Sequence, residues 1–349
     1  MFAWWVLITN FPHFPHCPAC STILAMRFLF RLSLLLSVAT TAVLAQASNA
    51  QPPFQVKLIG PNIWAAIDDA KGDAGANAGF VVGDDGVVVI DTFENEAAAK
   101  ALLAQIHSFT HLPIKFVVNT HYHLDHVAGN RIFADQGAVI LGHNNIRAWI
   151  RTENLKFFGD KVKPEEKAMV QNLFAPEVTY ETGVTLFLGS RRIEVTYLQG
   201  HTGGDSVVSI PDSGIVFCGD LFWNQTLPNL IDATSSSWIT TLSQFTEQPK
   251  DFMTNSAQPR AIMFVPGHGD VGNADDVQNF QGYLTWLRGA VQKAMDGGKQ
   301  GDALVAAVSP EQAEKYGNWN FFQDFSRSNI LEMSAELKGS KRVPPREKK

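Results

Sequence analysis

The sequence predicts one α/β domain, with two sheets packed face to face and helices outside them, followed by a helical C-terminal extension. Three observations predict it. Strand-like and helix-like runs alternate in two successive passes along the chain. No composition break or linker divides them, and there is no short tandem repeat. Hydrophobic residues make up 45% and charged residues 18% of the 349, the profile of a chain that packs a core. The domain is placed at 52–300 and the extension, with its basic tail, at 301–349. The net charge is -6 and no Lys/Arg stripe is present, which excludes nucleic acid as the partner class. The closing stretch KGSKRVPPREKK reads as a solvated tail.

The elements follow in order. PPFQVKLIG and NIWAAID are two short strands around a turn, and GDAGANAGF is a loop. FVVGDDGVVVIDTF is a hairpin hinged on Asp84, Asp85 and Gly86. Residues 95–109 have apolar positions at helical spacing, and IKFVVN at 114–119 is a buried-type strand. A second pass gives a short helix at 131–135, a strand at 138–141, a helix at 146–158 and a weaker one at 161–173. Residues 178–222 read as strand after strand, cut by glycine and proline turns. A helix at 238–247, a strand at 261–265, a long amphipathic helix at 277–296 and a helical tail at 301–337 complete the chain.

The N-terminus is read separately. From Met26, Arg27 and Arg31 precede an apolar run at 32–44, and Ala45, Ala47 and Ala50 follow as small cleavage-site residues. This is the pattern of a secretory signal peptide at 26–50, with a run too short to span a bilayer, so the expected location is periplasmic or secreted. Residues 1–25 carry no Lys or Arg and read as a mis-called upstream segment. His13, His16, Cys17 and Cys20 within it form no foldable metal unit. Cleavage leaves Cys218 as the one cysteine, expected as a small buried apolar residue.

The chemistry concentrates in His121-Tyr122-His123-Leu124-Asp125-His126, four potential metal ligands directly after a hydrophobic strand. Imidazole with carboxylate suits zinc, and also iron or manganese. Three distant residues have the same setting. His201 stands in GHTGG after EVTYLQ, Asp220 closes IVFCGD, and His268 stands in PGHG after AIMFV. Each is a ligand-type residue at the end of an apolar strand, with glycines that permit close backbone approach.

On these residues the chain resembles the metallo-β-lactamase superfamily over roughly 62–272. The resemblance implies a four-layer αββα sandwich with the site at one edge of the two sheets. It implies that His121, His123 and His201 bind one Zn2+, that Asp125, His126 and His268 bind another, and that Asp220 bridges them. Asp91, in VVVIDTF, matches the family's early strand-end aspartate, which supports the ligand loop. A hydroxide held between two zinc ions can attack a carbonyl carbon, and zinc lowers the pKa of bound water to about 7. Asp125 is both a ligand and the expected catalytic proton acceptor. The implied activity is hydrolysis of a β-lactam, lactone, ester or thioester.

Aspartate at 220 resembles glyoxalase-II-like thioesterases and lactonases, where some true lactamases carry cysteine or serine. Histidine at 121, 123, 126, 201 and 268 with an export signal also resembles periplasmic β-lactamases. Tyr122, Trp223 and Asn224 are candidate contacts to a small-molecule substrate. After signal removal no stable membrane insertion is expected, and the sequence is silent on oligomeric state. Two other readings remain open: a di-iron oxidoreductase or dioxygenase on the same scaffold, and a non-catalytic maturation factor.

Overall fold

A computed structural model of the chain describes residues 51–68, 72–159, 161–246 and 263–344. The upstream segment, the signal peptide and the His13–Cys20 group lie outside the described residues. Residues from Pro52 onward form one unit. No helix among the described residues is long and apolar enough to cross a membrane.

The first sheet has seven strands in chain order: β1 (Phe54–Gly60), β2 (Ile63–Asp68), β3 (Ala78–Val82), β4 (Val87–Ile90), β5 (Ile114–Val118), β6 (Val139–His143) and β7 (Val178–Tyr180). The first four pair antiparallel and β4 to β7 pair parallel. The second sheet contains β8 (Gly183–Leu188), β9 (Arg191–Tyr197), β10 (Ser206–Ile210), β11 (Ile215–Trp223) and β12 (Met263–His268), in the order β12-β11-β10-β9-β8. Only β11 and β12 pair parallel within it.

Side-chain alternation along the strands produces the layers. In β4, Val88 and Ile90 pack against Val208, Ile215 and Phe217 of the second sheet. Val87 and Val89 turn the other way, onto Ala98, Leu102 and Ile106 of helix α1 (Glu96–Phe109). Asn95 caps that helix, its Oδ1 accepting from the Ala98 amide at 2.9 Å. Beyond the second sheet, Cys218, Phe222 and Phe264 pack against α6 (Ser235–Thr246) and α7 (Ala274–Asp296). The same cluster takes in Leu304 and Val308 of α8 (Gly301–Tyr316) and Ile330 and Met333 of α9 (Phe322–Leu337). The architecture is therefore αββα, and the C-terminal helices complete its outer layer.

Short helices carry the connections: α2 (Leu124–Val127), α3 (Asn130–Ala134), α4 (Asn144–Trp149) and α5 (Pro164–Gln171). Two sequence expectations change here. The helix expected at 146–158 is broken into α4 and a 3-10 segment, Glu153–Phe158. Fully buried Asn154 explains the change of winding, because its amide donates to the Tyr122 and Ile150 carbonyls at 2.8 and 2.9 Å. The helical tail is likewise two helices, interrupted where Phe321 takes a left-handed φ of 57°.

Candidate metal centre

The loops that follow β4, β5 and β9 open at the same edge of the sandwich as the ends of β11 and β12. His121 and His123 follow β5, Asp125 and His126 lie on the single turn α2, and His201 follows β9. Asp220 lies inside β11 and His268 ends β12. A break in strand alternation aims Asp220. The β11–β12 register shifts around Gly219, whose φ is 50°, a bulge-like distortion that glycine permits. Gly219 also packs so closely on Thr120 that a Cβ would collide with it. As a result Cys218 packs toward the helices, while Asp220 reaches the sheet edge.

The seven residues expected from the sequence converge there in two groups: His121, His123, His201 and Asp220, and Asp125, His126 and His268. Asp220 joins them. Its Oδ2 is 3.1 Å from His201 Nε2 and 3.6 Å from His121 Nε2. Its Oδ1 is 3.1 Å from His126 Nε2 and 3.5 Å from His268 Nε2. Asp125 Oδ2 is 3.3 Å from His268 Nε2 and 3.6 Å from His126 Nε2. Donor atoms on a tetrahedral zinc stand about 3.3 Å apart, so these separations fit a cation at each position. The unmade hydrogen bonds fit too. His121 Nε2, His126 Nε2, His268 Nε2 and Asp220 Oδ1 are buried without a hydrogen-bond partner, a costly condition unless an ion satisfies them.

Carboxylates behind the rings fix which nitrogen faces inward. Asp91 Oδ2 faces His126 Nδ1 at 2.8 Å and accepts from the Thr120 hydroxyl at 2.7 Å, while its Oδ1 accepts from the Thr120 amide at 2.8 Å. Asp232 Oδ2 faces His123 Nε2 at 3.0 Å. That leaves His123 Nδ1 turned to the centre, 3.0 Å from His201 Nε2. Asp232 also accepts from the Tyr122 hydroxyl and from Lys156 Nζ. Burial works against its ionisation, but His123 and Lys156 outweigh that and hold its pKa below the usual range.

Burial drives the His121 pKa well down and that of His123 to about 4, so both rings are neutral. Burial opposes charge on His126 and His268 as well, yet Asp220 and Asp125 outweigh it. They raise His126 well above its ordinary value and His268 to about 9.

A cavity of about 260 Å³ opens over this centre, lined by Gly75, Glu94, His123, Leu124, Asp125, Phe157, Asp220, Trp223, Asn229, His268, Phe321 and Phe325. Trp223 lines it as expected, stacked on His268 at 4.0 Å and 25°. Two expected substrate contacts are placed elsewhere. Tyr122 is fully buried and points at Asp232 and Lys156. Asn224 faces away, its side chain donating to the Asp270 carbonyl at 2.9 Å and its amide to the His268 carbonyl at 3.0 Å. Both support ligand-bearing segments. Sequence reading did not single out Asp232, Lys156, Glu94, Asn229, Phe321 or Phe325, and no local motif marks them.

With fold and centre in place, comparison with known proteins gives the class. The family model of the metallo-beta-lactamase superfamily matches residues 72–272, more than half of the chain, and the chain belongs to that superfamily. A metallo-beta-lactamase type 2 of Bacteroides fragilis is 21% identical over 247 residues, covering 68% of this chain and 88% of the relative. A hydroxyacylglutathione hydrolase of Synechococcus sp. is 26% identical over 136 residues, covering 38% of this chain. The chain spans less than half of that hydrolase's length, 45%. Among solved structures, a metallo-beta-lactamase from Pontibacter korlensis matches with a TM-score of 0.54 at 24% identity, over 66% of this chain and 99% of the other. That likeness bears on the fold.

Proposed function

We propose that this protein is a zinc-dependent hydrolase, periplasmic or secreted, that cleaves a carbonyl substrate such as a lactone, ester, thioester or β-lactam. The observation that carries this reading is the Asp220 carboxylate, which turns one oxygen toward His201 and His121 and the other toward His126 and His268, with Nε2 of His121, His126 and His268 and its own Oδ1 buried without a hydrogen-bond partner. His121, His123, His201 and Asp220 Oδ2 would hold one Zn2+, and Asp125, His126, His268 and Asp220 Oδ1 the other. Two such cations, when bound, supply an ionised water near neutral pH and polarise a carbonyl oxygen.

The chain's own residues do the rest. Of the seven, Asp125 has the most exposed side chain, at 26%, and it faces the cavity. It can accept the proton of the attacking water and return it to the leaving group. Asp91 and Asp232 fix the orientation of His126 and His123, and Trp223 covers the His268 ring. The hydrolase names of the relatives support the reaction type. The leader pattern from Met26 supports export.

The test is a panel of chromogenic ester, lactone, thioester and β-lactam substrates, run on wild type and Asp125→Ala at equal metal content. Activity is expected in wild type only, roughly 10²–10⁴-fold above the variant, and a chelator abolishes it. Equal rates in the two proteins remove Asp125 from its role. Stoichiometric iron with oxygen uptake replaces the hydrolase reading by the oxidoreductase one.

A further inference from the structure

We propose that the cavity selects uncharged or cationic substrates with a bulky aromatic or apolar acyl group, and that Glu94 and the aromatic start of α9 set that preference. This inference rests on the hydrolase reading and names its substrate class.

The apolar wall is built from Leu124, Phe157, Trp223, Phe321 and Phe325. It touches both cation positions. Phe157 meets the His123 ring edge-on at 4.9 Å and 83°. Phe321 meets the His268 ring at 5.8 Å and 71°, and Phe325 meets Trp223 at 6.4 Å and 87°. An apolar group bound there would lie directly against the ligand rings, as the edge-to-face geometry of these pairs favours.

Phe321 is not a chance visitor at the mouth. Its φ of 57° is one that residues with a Cβ rarely adopt. Such a conformation persists only where its surroundings enforce it, and here they do. The Asn320 amide donates to the Gln225 carbonyl at 3.0 Å and the Leu227 amide to the Asn320 carbonyl at 2.9 Å. The segment before α9 is thereby pinned to the chain leaving β11, while Phe321 itself stays 38% exposed. Both phenylalanines lie beyond the 72–272 stretch matched by the family model, so this wall belongs to the chain's own extension.

Charge narrows the choice further. Besides the metal-ligand groups, the polar lining residues are Glu94 and Asn229, and no Lys or Arg is among the described residues lining the cavity. Glu94 stands beside Asp125 across Gly75, where a Cβ would meet both side chains at 2.6 and 3.2 Å. The Lys156 ammonium lies 5.4 Å from the centre of the Phe157 ring, but it is bound to Asp232 and Tyr122 and is not among the residues lining the cavity. Away from the two cation positions themselves, an anionic group on a substrate would meet the Glu94 carboxylate and, among the described residues lining the cavity, no Lys or Arg to offset it. Acylglutathiones and β-lactam antibiotics carry such anionic groups, whereas simple esters and lactones do not.

The test uses the zinc-loaded full chain and three 4-nitrophenyl esters that share a leaving group: 4-tert-butylbenzoate, 4-(trimethylammonio)benzoate and 4-carboxybenzoate. The first two are expected to show kcat/KM at least about tenfold above the third at low salt. Glu94→Gln brings the carboxylate ester to within about threefold of the tert-butyl ester by removing the repulsion. Phe325→Ala raises KM for the tert-butyl ester more than KM for 4-nitrophenyl acetate. Binding of the matching amides, which resist cleavage, is read by tryptophan fluorescence, with the same order of affinity expected. Equal or faster turnover of the carboxylate ester, or a ratio that Glu94→Gln does not move, overturns the proposal. If none of the ester, lactone, thioester or β-lactam substrates is cleaved, the hydrolase reading fails. The amide affinities then still decide this one, and tighter binding of 4-carboxybenzamide refutes it.

Discussion

At the first of the two proposed cation positions burial drives the pKa values of His121 and His123 down, whereas at the second the neighbouring carboxylates raise those of His126 and His268. The difference comes from the number of carboxylates facing each. The first position has Asp220 Oδ2, with Asp232 behind His123 already engaged by Lys156. The second has Asp220 Oδ1, Asp125 and, behind His126, Asp91. Carboxylate charge favours the protonated imidazole, whereas burial alone favours the neutral one. The two positions therefore start from different states. A cation entering the second position would compete with protons on His126 and His268 more strongly than one meeting His121 and His123 at the first.

The largest expected effect follows from that contrast. Metal ligation needs neutral imidazole. Affinity at the second position should therefore rise about tenfold per pH unit for each proton displaced, up to about a hundredfold for two. For His268 this holds as pH rises toward its value of about 9. At the first position burial holds His123 down to about 4 and His121 well below its ordinary value, so these two rings would add little pH dependence between pH 6 and 8. The sign is the same for metal-free stability. The raised His268 pKa adds stability that is full below 6.5 and lost as pH rises through about 9. Calorimetry at pH 7.5 in buffers of different ionisation heat should show protons released mainly with the second equivalent of zinc. Equal release with both equivalents would erase the distinction.

A smaller effect tests whether the support behind each ring is local. Asp91→Asn weakens the carboxylate partner of His126, and Asp232→Asn that of His123. Each should lower metal affinity roughly 10–100-fold at its own position. Competitive chelator titration of the cobalt-substituted protein would separate the two. A loss at both positions from either variant would mean the supports are coupled through Asp220.

The legibility of these parts in the sequence follows their range. The candidate ligands could be found because ligand-type residues at strand ends, beside glycine, are a local pattern, and the seven so found do converge. Asp232 could not, because its bonds to His123 and Tyr122 span 109 and 110 residues and nothing around it in LPNLIDATSSS marks a partner. Glu94, Phe321 and Phe325 were hidden for the same reason. Strand periodicity places Cys218 and Asp220 on one face, yet the distortion at Gly219 separates them. Tyr122 misled by position. It sits inside the ligand motif, but the turn that directs His121 and His123 to the centre sends Tyr122 backward into the core. The αββα layering was legible because β-strand alternation and helical spacing are themselves short-range signals.

The smallest expected effect concerns Lys156, which reaches the first position through Asp232 and Tyr122. Its Nζ donates to Asp232 and, at 2.6 Å, to the Tyr122 hydroxyl. The Lys156 side chain keeps 24% of its exposure while Asp232 keeps 3%, so water screens one end of the pair and not the other. In Lys156→Met the Asp232 carboxylate still accepts from the Tyr122 hydroxyl and from His123, and the ring orientation should persist. Metal affinity at the first position is then expected to fall by less than the roughly tenfold lower limit for losing a ligand's carboxylate partner. The cost appears instead in folding, roughly 1–3 kcal/mol for a carboxylate left short of one charged donor, measured by urea denaturation of the metal-free protein. If Lys156→Met weakens the first position as much as Asp232→Asn does, then the ammonium, rather than the hydrogen bond to His123, is what makes Asp232 effective. The contrast between the two positions would then lie in where a cation stands behind the carboxylate.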